Sequence, residues 1–230
     1  MQAYKLSVTE KIILGLVLVI LIIGYILFYT NLSAFIVYVE EDGTVEWLTV
    51  VGLMLGCIVS FSRFFKLLRR RNWWFLTVTF MLGLLLFFAS GEEISWGQRI
   101  LGIKSPEFFQ KNNAQHETNI HNLIVDHVKL NKLIFSFMLS IAMGIYLLLI
   151  PILFEKSKKI KAFINYSGVP VPRLYQVIAF VALILLTTLL RHEKNAELLE
   201  CGTGLLFFLI IRYPKNQPVF ERNPVGSHHL

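Results

Sequence analysis

Six long apolar runs with almost no charge are the feature of this chain that most constrains its fold. The hydrocarbon core of a bilayer is about 30 Å thick, and an α-helix needs roughly 20 apolar residues to cross it. With 55% hydrophobic residues the chain is also too apolar for an ordinary soluble domain. We therefore predict an all-α polytopic membrane bundle, a single integral membrane domain over residues 1–230, with spans at residues 12–29, 46–64, 73–90, 133–154, 174–190 and 197–211.

Positive charge is distributed unevenly between the two ends of these runs. Most of the 22 Lys and Arg residues lie in the two chain tails and in the gaps after the second and fourth runs. The positive-inside rule then predicts a multi-pass protein of the bacterial inner membrane with both termini in the cytoplasm. The net charge of +7 follows from this topology, and no aromatic-basic pattern indicates a nucleic-acid partner.

Negative charge has the opposite distribution. Of the 15 acidic residues, all except Glu10, Glu155 and Glu221 lie in or beside the three gaps on the external side. The same face holds His121 and His192. The external face is therefore where the sequence predicts the chemistry.

The gap between the third and fourth runs is the longest in the chain, at residues 91–132. Ser105-Pro106-Glu107 is typical of a helix start, because it combines a capping hydroxyl, a first-turn proline and an acid. From Glu117 onward, apolar residues recur at helical spacing at Ile120, Leu123, Ile124 and Val128. We expect an amphipathic segment lying along the external membrane surface before the fourth span.

The candidate catalytic residues lie in three external strings of polar sequence. If the third helix continues past Gly91, then Glu92 and Arg99 share one face, and Arg99 pairs with Glu92 or holds an anionic substrate group. A carboxylate raised in pKa by burial acts as a general base, which makes Glu92 and the adjacent Glu93 candidates. The full predicted catalytic set is Glu46, Glu92, Glu93, Arg99 and Glu200.

Glu200 is the most unusual of these residues because it lies about one turn inside the sixth apolar run. A carboxylate inside a membrane span is a functional-site hypothesis by default. Glu46 and Glu197 have a second interpretation, because acids at helix N-termini interact favourably with the helix dipole. The openings of the second and sixth runs, Glu46-Trp47-Leu48-Thr49 and Glu197-Leu198-Leu199-Glu200, are also alike, which indicates a parallel repeat or a chance likeness of apolar helices.

Histidine and carboxylate side chains on the external face also form a possible ligand set for a divalent metal such as Zn, Fe or Mn. The predicted ligands are His121, His192, Glu193 and Glu197. The chain has neither an HExxH motif nor the ExxH pairs of di-iron bundles, so this prediction rests on residue supply alone. The cofactor is therefore unknown, with a divalent metal as the hypothesis.

The external strings resemble those of a group of uncharacterised multi-pass bacterial membrane proteins. The likeness covers residues 40–130 and is carried by EDGxxEW at Glu41 to Trp47, GEEISWGQR at Gly91 to Arg99, and ETNxHN at Glu117 to Asn122. This resemblance implies kinship and no activity. The chain is more loosely similar to the alkaline ceramidase and progestin-receptor superfamily of intramembrane zinc hydrolases. It lacks the His-x-x-x-His pair and the seventh span of that family.

Three functions fit the sequence. The first is an enzyme that acts on a lipid or lipid-linked substrate at the external leaflet by hydrolysis or transfer, with membrane lipids as its surroundings. The second is a proton- or cation-coupled transporter that uses Glu46 and Glu200, although its acids would be expected nearer the midplane. The third is a membrane assembly protein whose acidic face binds a basic partner. The crowding of acids at one boundary favours the enzyme.

Overall fold

The computed structural model describes residues 4–40, 43–120, 122–125, 128–129 and 138–222. In this part of the chain the α-helices are α1 (Val8–Thr30), α2 (Leu32–Tyr38), α3 (Thr44–Leu67), α4 (Trp73–Glu93), α5 (Gln98–Leu101), α6 (Glu107–Asn112), α7 (Leu139–Gly144), α8 (Ile150–Lys156), α9 (Lys158–Ser167), α10 (Leu174–Leu189) and α11 (Asn195–Arg212). A π-helical turn, Ile145–Leu149, joins α7 to α8, and 3₁₀ turns lie at Ser95–Gly97 and Gln217–Phe220. Two short strands, β1 (Ile124–Val125) and β2 (Val128–Lys129), pair antiparallel.

The described residues contain three helices that are long and apolar enough to cross a membrane, α1, α3 and α4. The helix α10 is equally apolar but has 16 residues, and the 18 residues of α11 include two glutamates. These five helices match five of the predicted runs to within a few residues. The fourth run begins outside the described residues and is helical from Leu139 through Lys156. The helical fold and its membrane character are confirmed in this coarser form.

The outward faces of these helices carry large apolar side chains that are exposed. They include Leu18, Ile22 and Ile26 on α1, Leu85 and Phe87 on α4, and Ile184 and Leu185 on α10. Soluble proteins rarely leave contiguous apolar surface of this kind uncovered. Such faces fit lipid tails as their solvent.

The helix α11 forms the centre of the bundle and packs on α3, α10 and α1. Its residues from Leu205 to Ile211 are almost all buried. The second main packing partner of α3 is α4. Helices α3 and α11 run in the same direction, since Gly56 lies beside Phe208 and Arg63 lies beside Ile211.

Arginines tie the C-terminal segment under the basic end of the bundle. The buried Arg63 donates to the carbonyls of Ile211 and Arg212, which end α11, and its guanidinium lies 4.2 Å from the ring centroid of Phe220. Further along, Arg173 Nε donates to the Tyr213 carbonyl at 3.0 Å. Arg63 and Arg173, whose positive charges contribute to the predicted membrane orientation, therefore also hold the C-terminal segment in place.

The loop predicted to be external, residues 91–132, differs in part from its predicted form where the structure describes it. The helix α6 begins at Glu107, as the sequence predicts, but the Ser105 hydroxyl donates to the His116 carbonyl instead of capping the helix. The helical spacing from Glu117 onward does not form a helix where the chain is described, because residues 124–125 and 128–129 pair as strands. Valine and isoleucine favour strands, and the strand pair satisfies their backbone groups with fewer residues than a helix needs. The amphipathic segment along the membrane surface stays a prediction.

Candidate functional site at the external end

The chain reverses sharply just after α4. Three consecutive residues adopt left-handed backbone conformations, with φ values of 46° at Ser95, 55° at Trp96 and 74° at Gly97. Glycine adopts this conformation readily, whereas serine and tryptophan do so at a cost. The condition under which Glu92 and Arg99 would share one helical face is therefore not met, because the helix continues past Gly91 only as far as Glu93.

Buried side-chain hydrogen bonds hold this reversal. The Ser95 hydroxyl donates to the Glu117 carboxylate and accepts from Asn119 Nδ2 at 2.8 Å. The amide of Asn113 donates to the Asn119 carbonyl at 2.9 Å. A strained backbone conformation persists only where surrounding contacts hold it in place, and these hydrogen bonds hold the reversal.

Glu92 closes the loop from its other side. The carboxylate accepts from the indole nitrogen of Trp96 at 2.8 Å and from the backbone nitrogen of Ile120 at 2.5 Å. The residue is buried in the fold. These contacts give Glu92 a positioning function in the loop, and its role as a general base stays a prediction.

Arg99 joins the loop to the membrane bundle. Its guanidinium contacts Glu46 at the start of α3 at 3.0 Å and Glu117 in the loop at 3.3 Å. The Arg99 side chain is 20% exposed, and Glu46 is buried. Charge-assisted hydrogen bonds of this kind are about twice as strong as neutral ones. Arg99 therefore holds the loop against α3 by binding two carboxylates of the protein.

Glu200 belongs to a group of four carboxylates that we call the carboxylate cluster: Glu46, Glu93, Glu197 and Glu200. The other three carboxylates lie within electrostatic range of Glu200, at the start of α3, at the end of α4 and one turn earlier on α11. The Glu200 side chain is accessible to solvent, whereas its neighbours Leu198 and Cys201 on the same helix are buried. Glu200 is therefore the exposed residue of a turn of α11 whose other residues are buried or half-buried.

The structure brings four of the five predicted catalytic residues into one connected group. The carboxylate cluster contains Glu46, Glu93 and Glu200, and Arg99 binds Glu46. Glu197, predicted as a metal ligand, also lies in the cluster. Sequence reasoning passed over Ser95, Trp96 and Asn119, whose only local signal was Gly97, a residue typical of turns.

The remaining predicted metal ligands have other surroundings. His192 packs edge-on against Phe35 with ring centroids 5.7 Å apart, and its Nδ1 accepts from the Lys194 nitrogen at 3.1 Å. A neutral imidazole that accepts at Nδ1 carries its proton on Nε2, so His192 would have to change this arrangement to bind a metal. Glu193 is exposed to solvent.

His121 lies outside the described residues. Within the part of the chain that the structure describes, no three His, Cys, Asp or Glu residues are arranged to hold a metal ion. The metal set of His121, His192, Glu193 and Glu197 therefore stays a prediction.

Comparison with known proteins gives no relative for this chain. No protein-family model, no curated protein and no solved structure matches it. The geometry of the site is therefore the basis for inferring a function, and the resemblance carried by the three polar strings stays a prediction.

Proposed function

We propose that this protein is a membrane enzyme that acts on a lipid or lipid-linked substrate at the external leaflet. The proposal places six spans in a bacterial inner membrane with both termini in the cytoplasm. The observation that carries it is Glu200, an accessible carboxylate within electrostatic range of three others at the end of an apolar bundle. A substrate with a polar head and a hydrocarbon tail matches both surfaces.

Acid–base hydrolysis is the chemistry that such a cluster supports. Interacting carboxylates do not all ionise together, so one keeps a proton while a neighbour is a base. In the proposed reaction, Glu93 takes a proton from a water molecule while the oxygen of that water bonds to the substrate. Glu200 gives its proton to the leaving oxygen as the scissile bond breaks.

The other residues of the site position this pair. Arg99 pairs with Glu46, a member of the cluster, and Glu92 holds the loop through Trp96 and Ile120. If a divalent metal binds, it would polarise the substrate and lower the pKa of water. The proposal does not depend on that ion.

Lipid profiling of cells tests the proposal without a known substrate. We would delete the gene and restore it as the wild type, Glu200→Gln, Glu93→Gln or Glu40→Gln. Glu40 is an exposed external carboxylate, so its variant is the matched control. We expect a lipid species that accumulates on deletion to be removed by the wild type and by the Glu40 variant, and to persist in the other two.

A proton- or cation-coupled transporter is the second candidate. The observation that favours it is the π-helical turn Ile145–Leu149, because such turns are frequent at functional sites. An unchanged lipid profile, together with ion flux into proteoliposomes that Glu200→Gln abolishes, would replace the enzyme with the transporter.

A further inference from the structure

The basic end of the bundle, opposite the carboxylate cluster, contains a pocket of about 300 Å³. It lies where the start of α4, the end of α9 and the C-terminal 3₁₀ turn meet. Its lining residues are Arg71, Asn72, Phe75, Asn165, Tyr166 and Val219. The proposed external reaction uses none of these residues.

Arg71 supplies a fixed positive charge at this pocket. Its Nε donates to the Val219 carbonyl at 3.0 Å, and one terminal nitrogen donates to the Glu221 carbonyl at 3.3 Å. Neutral carbonyls orient the guanidinium but leave its charge uncancelled. A planar guanidinium held in this way is suited to binding phosphate.

Other lining residues of the pocket are aromatic or apolar, and the Arg71 guanidinium lies 5.7 Å from the ring centroid of Phe75. Phe75 is buried there, and the Tyr166 ring is exposed. Beside the pocket, Trp73 and Trp74 at the start of α4 are 78% and 50% exposed. Tryptophan and tyrosine are enriched where a membrane meets water, so the pocket lies at headgroup depth.

Two further basic residues lie on α9, the helix that contributes Asn165 and Tyr166 to the pocket. Lys158 and Lys161 precede Asn165 by seven and four residues on α9 and therefore share its helical face. On the acidic side, Glu155 pairs with Lys215 at 2.5 Å, and Glu221 is exposed. The balance of charge around the pocket is positive, as anionic lipid headgroups require.

We propose that this pocket binds the phosphate-bearing headgroup of an anionic phospholipid from the cytoplasmic leaflet. Arg71 contacts the phosphate, and the glycerol backbone and first carbons of the acyl chain lie against Phe75 and Val219. This site is independent of the external carboxylate cluster and of the reaction proposed there.

Native mass spectrometry of the detergent-purified full chain tests this site. The probes are phosphatidylglycerol and phosphatidylcholine, each with and without an excess of inorganic phosphate. We expect Arg71→Ala to weaken phosphatidylglycerol binding about tenfold, because it removes a charged hydrogen-bond donor. Arg69→Ala is the matched control, since Arg69 is an exposed arginine two residues away that does not line the pocket.

Three results would overturn the proposal. Equal losses in Arg71→Ala and Arg69→Ala would mean diffuse attraction to the basic surface. Equal binding of phosphatidylcholine would mean that the pocket does not select negative charge. Displacement of the lipid by inorganic phosphate would mean that the ligand is a free anion.

A second variant protects the test if Arg71→Ala detaches the C-terminal segment and unfolds the pocket. Tyr166→Ala keeps every arginine, and Tyr166 is exposed, so the fold should tolerate the change. We expect weaker phosphatidylglycerol binding in this variant, with thermal unfolding as in the wild type. Unchanged lipid binding would contradict the pocket.

Discussion

Gly52 of α3 and Gly204 of α11 meet backbone to backbone: a Cβ atom at Gly52 would lie 2.6 Å from the carbonyl carbon of Gly204. Small residues at such crossings let membrane helices approach closely. Glu46 lies about two turns above this contact on α3, and Glu200 lies about one turn above it on α11. The glycine contact therefore sets the separation of two carboxylates in the cluster.

Gly52→Ala should destabilise the protein by about 1–3 kcal/mol, because backbone cannot move aside for the new methyl group. Thermal unfolding in detergent measures the loss. Gly15→Ala on α1 is the control, since its Cβ would meet no atom within 4 Å and should leave stability equal or slightly higher. Equal unfolding temperatures for the Gly52 variant and the wild type would mean that the two helices do not touch here.

Arg63→Met should cost about 3 kcal/mol of unfolding free energy. The change keeps an apolar stem but leaves the end of α11, at the Ile211 and Arg212 carbonyls, without its buried donor. Chemical denaturation measures the cost, and Arg69→Met, at an exposed position, should cost little. If the two variants unfold alike, Arg63 has no structural function beyond its charge.

Glu92→Gln should loosen the external loop, because an amide has one acceptor oxygen for the two donors of Trp96 and Ile120. We expect faster hydrogen exchange at the Ile120 backbone amide and a loss of about 1–3 kcal/mol in local stability. Glu107→Gln is the control, since it removes only an exposed ion pair with Lys111. Unchanged exchange at Ile120 would argue that Glu92 serves the reaction instead of the loop.

The ion pair between Glu155 and Lys215 should give stability that depends on pH. The hydrogen bond and the charge of Lys215 lower the pKa of the Glu155 carboxyl below its usual 4.5. The pair therefore stabilises the fold above about pH 4.5, and this contribution is lost as the pH falls through the lowered value.

Because Glu155 is half exposed, the difference in stability from Glu155→Gln should be below about 1 kcal/mol at neutral pH and vanish in acid. Paired thermal scans across this pH range measure it, with Glu40→Gln as an exposed control. A difference that grows in acid would contradict the assignment.

Metal content separates the two forms of the proposed enzyme. If the predicted ligands are correct, the purified protein should contain near-stoichiometric zinc, iron or manganese by elemental mass spectrometry. The metal should fall in His121→Ala, His192→Ala, Glu193→Gln and Glu197→Gln. His116→Ala, at an exposed loop position, should retain it. A wild-type protein without metal would leave acid–base chemistry by the carboxylate cluster as the mechanism.

The helices were predictable because the residues that determine each one lie within or beside that helix in the sequence. An apolar run of sufficient length fixes α3 or α4, and the Asn72 side chain caps α4 by accepting from the Phe75 nitrogen at 2.8 Å. The likeness between the openings of the second and sixth runs also has a spatial counterpart, since α3 and α11 are parallel neighbours.

The loop and the site were less predictable because they depend on partners far apart in sequence. Left-handed backbone at Ser95 and Trp96 contradicts the preference of both residues and is held by Glu117 and Asn119. Arg99 likewise takes its partner Glu46 from 53 positions away. No local pattern encodes either choice.

Hydrogen bonds join the two ends of the loop segment that runs from Glu92 to Ile120. Ser95 joins Glu117, and Glu92 joins Ile120, whereas α6 between them has no buried residue. The two ends of this segment are therefore held together beside the bundle, and α6 should tolerate inserted residues because none of its side chains is buried. A short epitope inserted into α6 would be a surface tag on the folded protein, and antibody labelling of intact and permeabilised cells would then reveal which side of the membrane the site faces.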